Sequence, residues 1–201
     1  MSEPSLRARF KETVSEAILD AAEQLAAEVG LPAASLQAIA QRAGVAVGTI
    51  YNHFADRNEL FTEIFARRRQ ELLTTLDAQA KSATGAPFDV QLDGFVRTVF
   101  TFFDARRPFL TLALDGSTAK AQAKGQASGG RTSVEQLHLR AERIVRLGLK
   151  EKRLRADGGD LFALFLVAAV RGVLIAKVHD PKPIAGETDR VIALFLKGAE
   201  R

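Results

Sequence analysis

Between Val47 and Phe54 the chain reads Val-Gly-Thr-Ile-Tyr-Asn-His-Phe, which sets four hydrogen-bonding side chains around an apolar pair. Ile50 and Phe54 are spaced i, i+4 and so share one face of a helix. Turning that face inward sends Val47, Gly48, Thr49, Tyr51, Asn52 and His53 outward. Thr49 and Asn52 have the donors and acceptors that read base edges, and Val47 or the Thr49 methyl can touch a thymine methyl. Gly48 lets the helix approach closely, while Tyr51 and His53 suit phosphate oxygens. Arg57 follows at the start of another helical stretch, adding a cation beside a dipole end that favours phosphate.

The elements that must hold this face lie just upstream, in Leu36 to Phe54, LQAIAQRAGVAVGTIYNHF. Two short helices crossing steeply need a small residue at their closest approach, which Ala40 supplies. The turn between them needs positive φ, which Gly44 accepts. Ile39, Ala43, Val45 and Ile50 are placed to fill the wedge. Ser35 stands where it can cap the first helix, with Gln37 beside it at the same end. The pattern is a helix-turn-helix whose second helix fits a major groove.

Charge alone does not point there. The 201 residues carry 28 Lys+Arg against 24 Asp+Glu, a net +4 that invites a nucleic-acid reading. Residues 1–81 nevertheless hold nine basic and eleven acidic side chains, so the excess lies in the other half. There Arg131, Arg140, Arg143, Arg146, Lys150, Lys152, Arg153 and Arg155 read as the wet side of a helix bearing Leu137, Ala141, Ile144 and Val145 on its other face. Arg67-Arg68-Arg69 reads as a solvated face or as domain-interface ion pairs.

Apolar residues recur at helical spacing almost everywhere, as in Val14, Ile18, Ala21, Leu25 and Val29, and nowhere alternate long enough for a sheet. The expectation is an all-α chain of about nine helices, near 7–29, 36–43, 48–54, 57–81, 88–105, 109–114, 134–149, 160–178 and 187–199. Gly30 is expected as a left-handed cap, and Asp56 with Glu59 as a capping box. Residues 115–133, without Leu, Ile, Phe or Val, read as a mobile loop. No run reaches the ~18 apolar residues that span a bilayer, and the N-terminus lacks a signal-peptide core. A soluble cytoplasmic protein without membrane association is expected. The absence of Cys excludes disulfides, Cys-ligated zinc and thiol catalysis. No P-loop, HExxH or His spacing marks a catalytic or metal site, and no cofactor is implied.

At Gly48-Thr49-Ile50-Tyr51-Asn52-His53-Phe54, followed by Arg57 and Leu60-Phe61, the sequence resembles the TetR family of transcriptional regulators. The resemblance covers roughly residues 10–65. It implies a three-helix DNA-binding domain over 1–57, a connecting helix and linker over 58–86, and a helical effector-binding and dimerisation domain over 87–201. Two departures stand out: Ala46 occupies a position where the family often has Ser or Thr, and Arg57 one where it commonly has Lys.

In the effector half, Leu161 to Val170 is unbroken apolar sequence, and such a helix must be covered on all sides. Ala168, Gly172 and Ala176 form a stripe permitting close approach. With Val191, Ile192 and Phe195 of the last helix they are expected to form a four-helix interface in a homodimer, as the resemblance also implies. The resemblance further implies a cavity for a small-molecule effector. Its expected wall is Phe100, Phe103, Phe109 and Phe165, with His138 and Arg171 as polar members; the plainer alternatives are a core histidine and, for Arg171, a rim position or an ion pair with Asp104 or Asp115. The expected function is a repressor that binds a pseudo-palindromic DNA operator as a homodimer and is released by a hydrophobic effector. The alternatives are a small-molecule-binding protein with vestigial DNA binding, or an enzyme with a triad scattered through the sequence.

Overall fold

The computed structural model describes residues 5–114 and 133–199. Among the described residues there are nine α-helices and no β-strand: α1 Leu6–Val29, α2 Leu36–Ala43, α3 Val47–Tyr51, α4 Arg57–Ser82, α5 Phe88–Asp104, α6 Arg107–Leu114, α7 Ser133–Lys150, α8 Leu161–Lys177 and α9 Thr188–Ala199. The all-α expectation holds. The expected loop at 115–133 lies outside the described residues, except that Ser133 opens α7.

Two local expectations change. The helix expected over 48–54 is α3, Val47–Tyr51, and beyond it the turn tightens, with Asn52 and His53 N–H donating three residues back to the Thr49 and Ile50 carbonyls at 3.2 and 2.9 Å. Gly30 has φ 82° but ψ 152°, so it is extended on the positive-φ side, launching a 3₁₀ turn over Leu31–Ala33. Gly44 does take the left-handed conformation, φ 68° and ψ 29°. The Val45 N–H then reaches the Ala40 carbonyl at 3.0 Å, and the Gly44 N–H reaches Gln41 at 3.3 Å, a Schellman closure of α2.

The described chain divides into two compact units, the first running to Arg68 and taking in 111–114, the second holding Arg69–Leu110 and the residues from 133 onward. In the first unit, Ile18, Leu19 and Ala22 of α1 are buried with Ile39 and Ala40 of α2, Ile50, Phe54, and Leu60, Phe61 and Ile64 of α4. Helices as short as α2 and α3 are unstable alone, so their persistence rests on this packing.

Polar ties add to it. Glu12, Glu16, Asp20 and Glu23 recur along one side of α1 and receive two arginines of α4. Arg67 donates to Glu12 and Glu63 at 2.7 and 2.8 Å and also to Glu16. Burial opposes the Arg67 charge, but hydrogen bonds to Glu63 and Glu16 outweigh it and raise its pKa above the ordinary value. Arg68 meets Glu23 at 2.5 Å and Asp20 at 2.6 Å, and both the Arg68 and Glu23 side chains are buried. Arg67 and Arg68 are ion-paired, as one of the two sequence readings had it, but to α1 within the first unit and not at a domain interface.

In the second unit, α5 buries Phe88, Leu92, Phe95, Val96, Val99, Phe100, Phe102 and Phe103, and α7 buries Ala141, Ile144 and Val145. Asp104 accepts from the backbone of Ile184 and Ala185, both at 2.8 Å, and from Arg107. Arg107 also donates to the Lys177, Asp180 and Lys182 carbonyls, which pins the α8–α9 connection. The basic run on α7 is partly paired, Arg140 with Asp77 at 2.8 Å and Arg146 with Glu142 at 2.9 Å.

Removing one partner of a buried ion pair strands the other charge. Glu23→Ala should lower unfolding free energy by about 3 kcal/mol, with Asp20 holding the loss toward the low end of what such changes cost. Denaturant unfolding followed by circular dichroism checks this, and a loss under about 0.5 kcal/mol, typical of exposed pairs, contradicts it.

Candidate nucleic-acid interface

The first unit presents α3 in the orientation the i, i+4 pattern requires. Ile50 is fully buried and Phe54 is 5% exposed, while Tyr51 is 56% exposed. Gly48 and Asn52 are exposed, and Val47, Thr49 and His53 are half-buried. The six residues therefore lie away from the core face, as a groove-reading helix demands. Ala46 opens α3 without a side-chain cap, so the departure seen in sequence leaves that helix start bare.

At α2, the Ser35 hydroxyl accepts from the Ala38 N–H at 3.2 Å, and both Ser35 and Gln37 are exposed. Glu28 ties the end of α1 to α2 through a two-point contact with Arg42, at 2.7 and 2.6 Å. Asp56 caps α4 by accepting from Glu59 N–H at 2.8 Å. Glu59 reaches back one residue further than a standard capping box, to the Ala55 N–H.

His53 borders a cleft of about 430 Å³ with Lys11, Glu12, Glu59 and Arg67. Burial lowers the His53 pKa below its ordinary value, and the positive charges of Lys11 and Arg67 lower it further against an opposing pull from Glu12. The imidazole is accordingly neutral at pH 7 and offers a neutral donor. Lys11 is a neighbour of this face that the sequence reading missed; with more than forty residues between Lys11 and His53, only the fold brings them together.

Arg57 is oriented differently from the sequence expectation. Its Nε donates to the Ala34 carbonyl at 2.8 Å and its Nη2 to the Leu31 carbonyl, and the guanidinium stands 5.0 Å from the centre of the Phe61 ring. Burial lowers its pKa from the ordinary value, though not enough to discharge an arginine. One edge of the planar fork is thus committed to backbone carbonyls instead of facing outward to a phosphate.

The residues expected around an effector are not all brought together in the second unit. Phe100, Phe103 and Phe109 are buried, with Phe103 and Phe109 stacked at 6.1 Å. His138 is half-buried, its Nε2 3.3 Å from Glu142 on the next turn of α7. Phe165 is 63% exposed and Arg171 is exposed, so both face away from that aromatic cluster. Asp104, one suggested partner for Arg171, is taken up by Arg107, and Asp115 lies outside the described residues.

The expected dimer stripe also divides. Ala168, Gly172 and Ala176 are exposed, but Val191 and Phe195 are buried within the protomer and Ile192 is half-buried. Leu161, Leu164, Phe165, Ile175 and Leu194 are the large apolar side chains left exposed on α8 and α9. A groove of about 570 Å³ runs along this face, lined by Phe165, Gly172, Ala176 and Leu194 among others. On α8 the small-residue stripe does mark the side its own chain leaves uncovered; on α9 the apolar pattern carries no marker of which residues the protomer itself buries.

Among the described residues no helix is long and apolar enough to cross a membrane, and no group of His, Asp or Glu is placed to hold a metal ion.

Residues 18–64 match the family model described as bacterial regulatory proteins, tetR family. The chain is 30% identical over 123 residues to the transcriptional repressor KstR of Mycolicibacterium smegmatis, a match covering 61% of this chain and 59% of that protein. The chain thus spans less than two thirds of the length of this curated relative. Among solved structures, the fatty acid degradation regulator FadR from Bacillus halodurans superposes with a TM-score of 0.79 at 19% identity over 98% of both chains. FadR from Bacillus subtilis, solved in complex with stearoyl-CoA, gives 0.74 at 16% identity over 91% of this chain and 98% of that one. These likenesses extend the agreement in fold well beyond the matched N-terminal segment.

The environment of His53 is directly measurable. In an NMR titration its imidazole should titrate below the ordinary value of about 6.5, and Lys11→Ala should move the midpoint upward. A His53 midpoint at or above the ordinary value contradicts the placement.

Proposed function

We propose that this TetR-family chain is a transcriptional repressor that binds a pseudo-palindromic operator as a homodimer and releases it when a small hydrophobic effector binds. The observation that carries the reading is α3, with Ile50 and Phe54 buried and Tyr51 and Asn52 exposed. Thr49 and Asn52 are assigned to base edges, with Val47 and Gly48 giving close apolar approach. Tyr51, His53, Ser35 and Gln37 are assigned to phosphates. Residues 1–57 form the DNA-reading domain, 58–86 the connection, and 87–201 the effector and dimerisation domain.

The apolar surface of α8 and α9 supports a two-fold pairing. Ala168, Gly172 and Ala176 would let α8 approach its symmetry mate closely, and Leu164, Phe165, Ile175 and Leu194 would supply the area. Such a dimer sets two recognition helices about one DNA turn apart, roughly 34–36 Å. The buried Phe100, Phe103 and Phe109 remain the expected effector wall, with His138 of the same unit as its polar candidate, and a stearoyl-CoA complex of a protein with this fold supports a hydrophobic ligand class. Phe165 and Arg171 are reassigned to the exposed surface. Effector and operator would then weaken one another's binding by the same factor. The matched relative is a transcriptional repressor and catalysis forms no part of the proposal.

A gel shift on the duplex immediately upstream of the gene tests this. Two chains per duplex are expected, and Tyr51→Ala combined with Asn52→Ala should weaken the specific shift roughly 100-fold while leaving helicity intact. An unchanged shift removes the site assignment, and a shift indifferent to scrambled sequence removes the regulator.

A further inference from the structure

Arg57 stands 23 and 26 residues from its two carbonyl partners, Ala34 and Leu31, so its contacts join segments that chain connectivity leaves apart. The Leu31 carbonyl already closes the 3₁₀ turn by accepting from Ala34 N–H at 3.3 Å. Ala34 itself is fully buried, and the next residue is Ser35, which caps α2. The far end of the tie is equally fixed, since Arg57 is the first residue of α4, behind the Asp56 cap, and its guanidinium rests over Phe61, which is 1% exposed. One planar fork thus connects the start of a 26-residue helix to the turn from which α2 begins. Once α2 is aimed, the Schellman turn at Gly44 sets the direction in which α3 departs.

We propose that Arg57 is a positioning residue of the DNA-reading domain, holding the Leu31–Ala34 turn against the start of α4 and thereby aiming α2 and α3, without taking a phosphate itself. The inference rests on the DNA-binding reading for its consequence, though not for the tie. It also gives a physical meaning to the departure from the family pattern at this position. A lysine offers one ammonium on a flexible stem, whereas two carbonyls three residues apart are bridged by the spread donors of a guanidinium. Charge at position 57 is therefore incidental and geometry is what matters.

A charge-conserving substitution separates the two roles. The unsubstituted chain, Arg57→Lys and Arg57→Ala are compared by fluorescence anisotropy on the duplex upstream of the gene and on a scrambled duplex, from 50 to 300 mM KCl. Amide exchange across 31–39 is measured on each protein without DNA. The tie predicts that both variants lose on the order of tenfold in affinity for the upstream duplex. Their plots of log affinity against log salt should stay parallel to that of the unsubstituted chain, and amides of 34–39 should exchange faster in both.

A phosphate contact predicts otherwise. Arg57→Lys would match the unsubstituted chain, and the slope of Arg57→Ala would fall by about 0.9, the loss of one neutralised phosphate. That result, or unchanged exchange across 31–39, overturns the proposal. If the unsubstituted chain does not distinguish the two duplexes, the DNA-binding reading fails and the aiming role falls with it, while the exchange data still decide whether the tie exists.

Discussion

The eight residues of α2 and five of α3 are too short to hold a helix in water, so everything proposed for the DNA-facing surface depends on the frame that α1 and α4 build around them. That frame is apolar at its centre, where Ile39, Ala40 and Ile50 meet Ile18, Leu60 and Phe61 in the buried core. Along its edge it is ionic, with Arg67 and Arg68 of α4 held by the carboxylates of α1. Hydrophobic burial is non-directional and would accept several relative positions of two long helices. The carboxylate series adds direction, because Arg68 is buried and its charge has to be met, as it is by Asp20 and Glu23.

The same frame uses much of the basic charge in the first 81 residues. Arg42, Arg57, Arg67 and Arg68 all hold protein groups. A DNA-binding domain built this way would have little general attraction for phosphate. Discrimination would come from a few placed side chains on α3, presented twice by a dimer. The net +4 that first suggests nucleic acid is a poor guide to this molecule, since Arg140 and Arg146 on α7 are paired with acidic neighbours.

Local features were legible in the sequence because they depend on neighbours. The Ser35 cap, the left-handed Gly44 and the inward Ile50 and Phe54 each follow from spacings of four residues or fewer, and each is found. The apolar spacing carries α3 three residues further than the structure does, since the three-residue hydrogen bonds of Asn52 and His53 tighten the turn without changing that pattern. What escaped was long-range. Arg57 reads as a phosphate contact until the fold brings the Leu31 and Ala34 carbonyls to it. Val191 and Phe195 read as interface residues, yet the packing of α9 buries most of each within the protomer, where they form the floor of a groove beside the exposed Leu194. The ion pairs of Arg67 and Arg68 left a usable trace, acidic residues at 12, 16, 20 and 23 on one side of the first helix, which only gains meaning beside a basic pair on another.

In the proposed complex α3 is aimed from within the domain, so that its exposed residues alone meet the bases. A crystal structure of the chain on its upstream duplex tests this most directly. The expected result is α3 in the major groove, Thr49 and Asn52 within hydrogen-bonding distance of base edges, and Arg57 still on the Leu31 and Ala34 carbonyls. Arg57 swung out onto a phosphate, or α3 lying outside the groove, would contradict it.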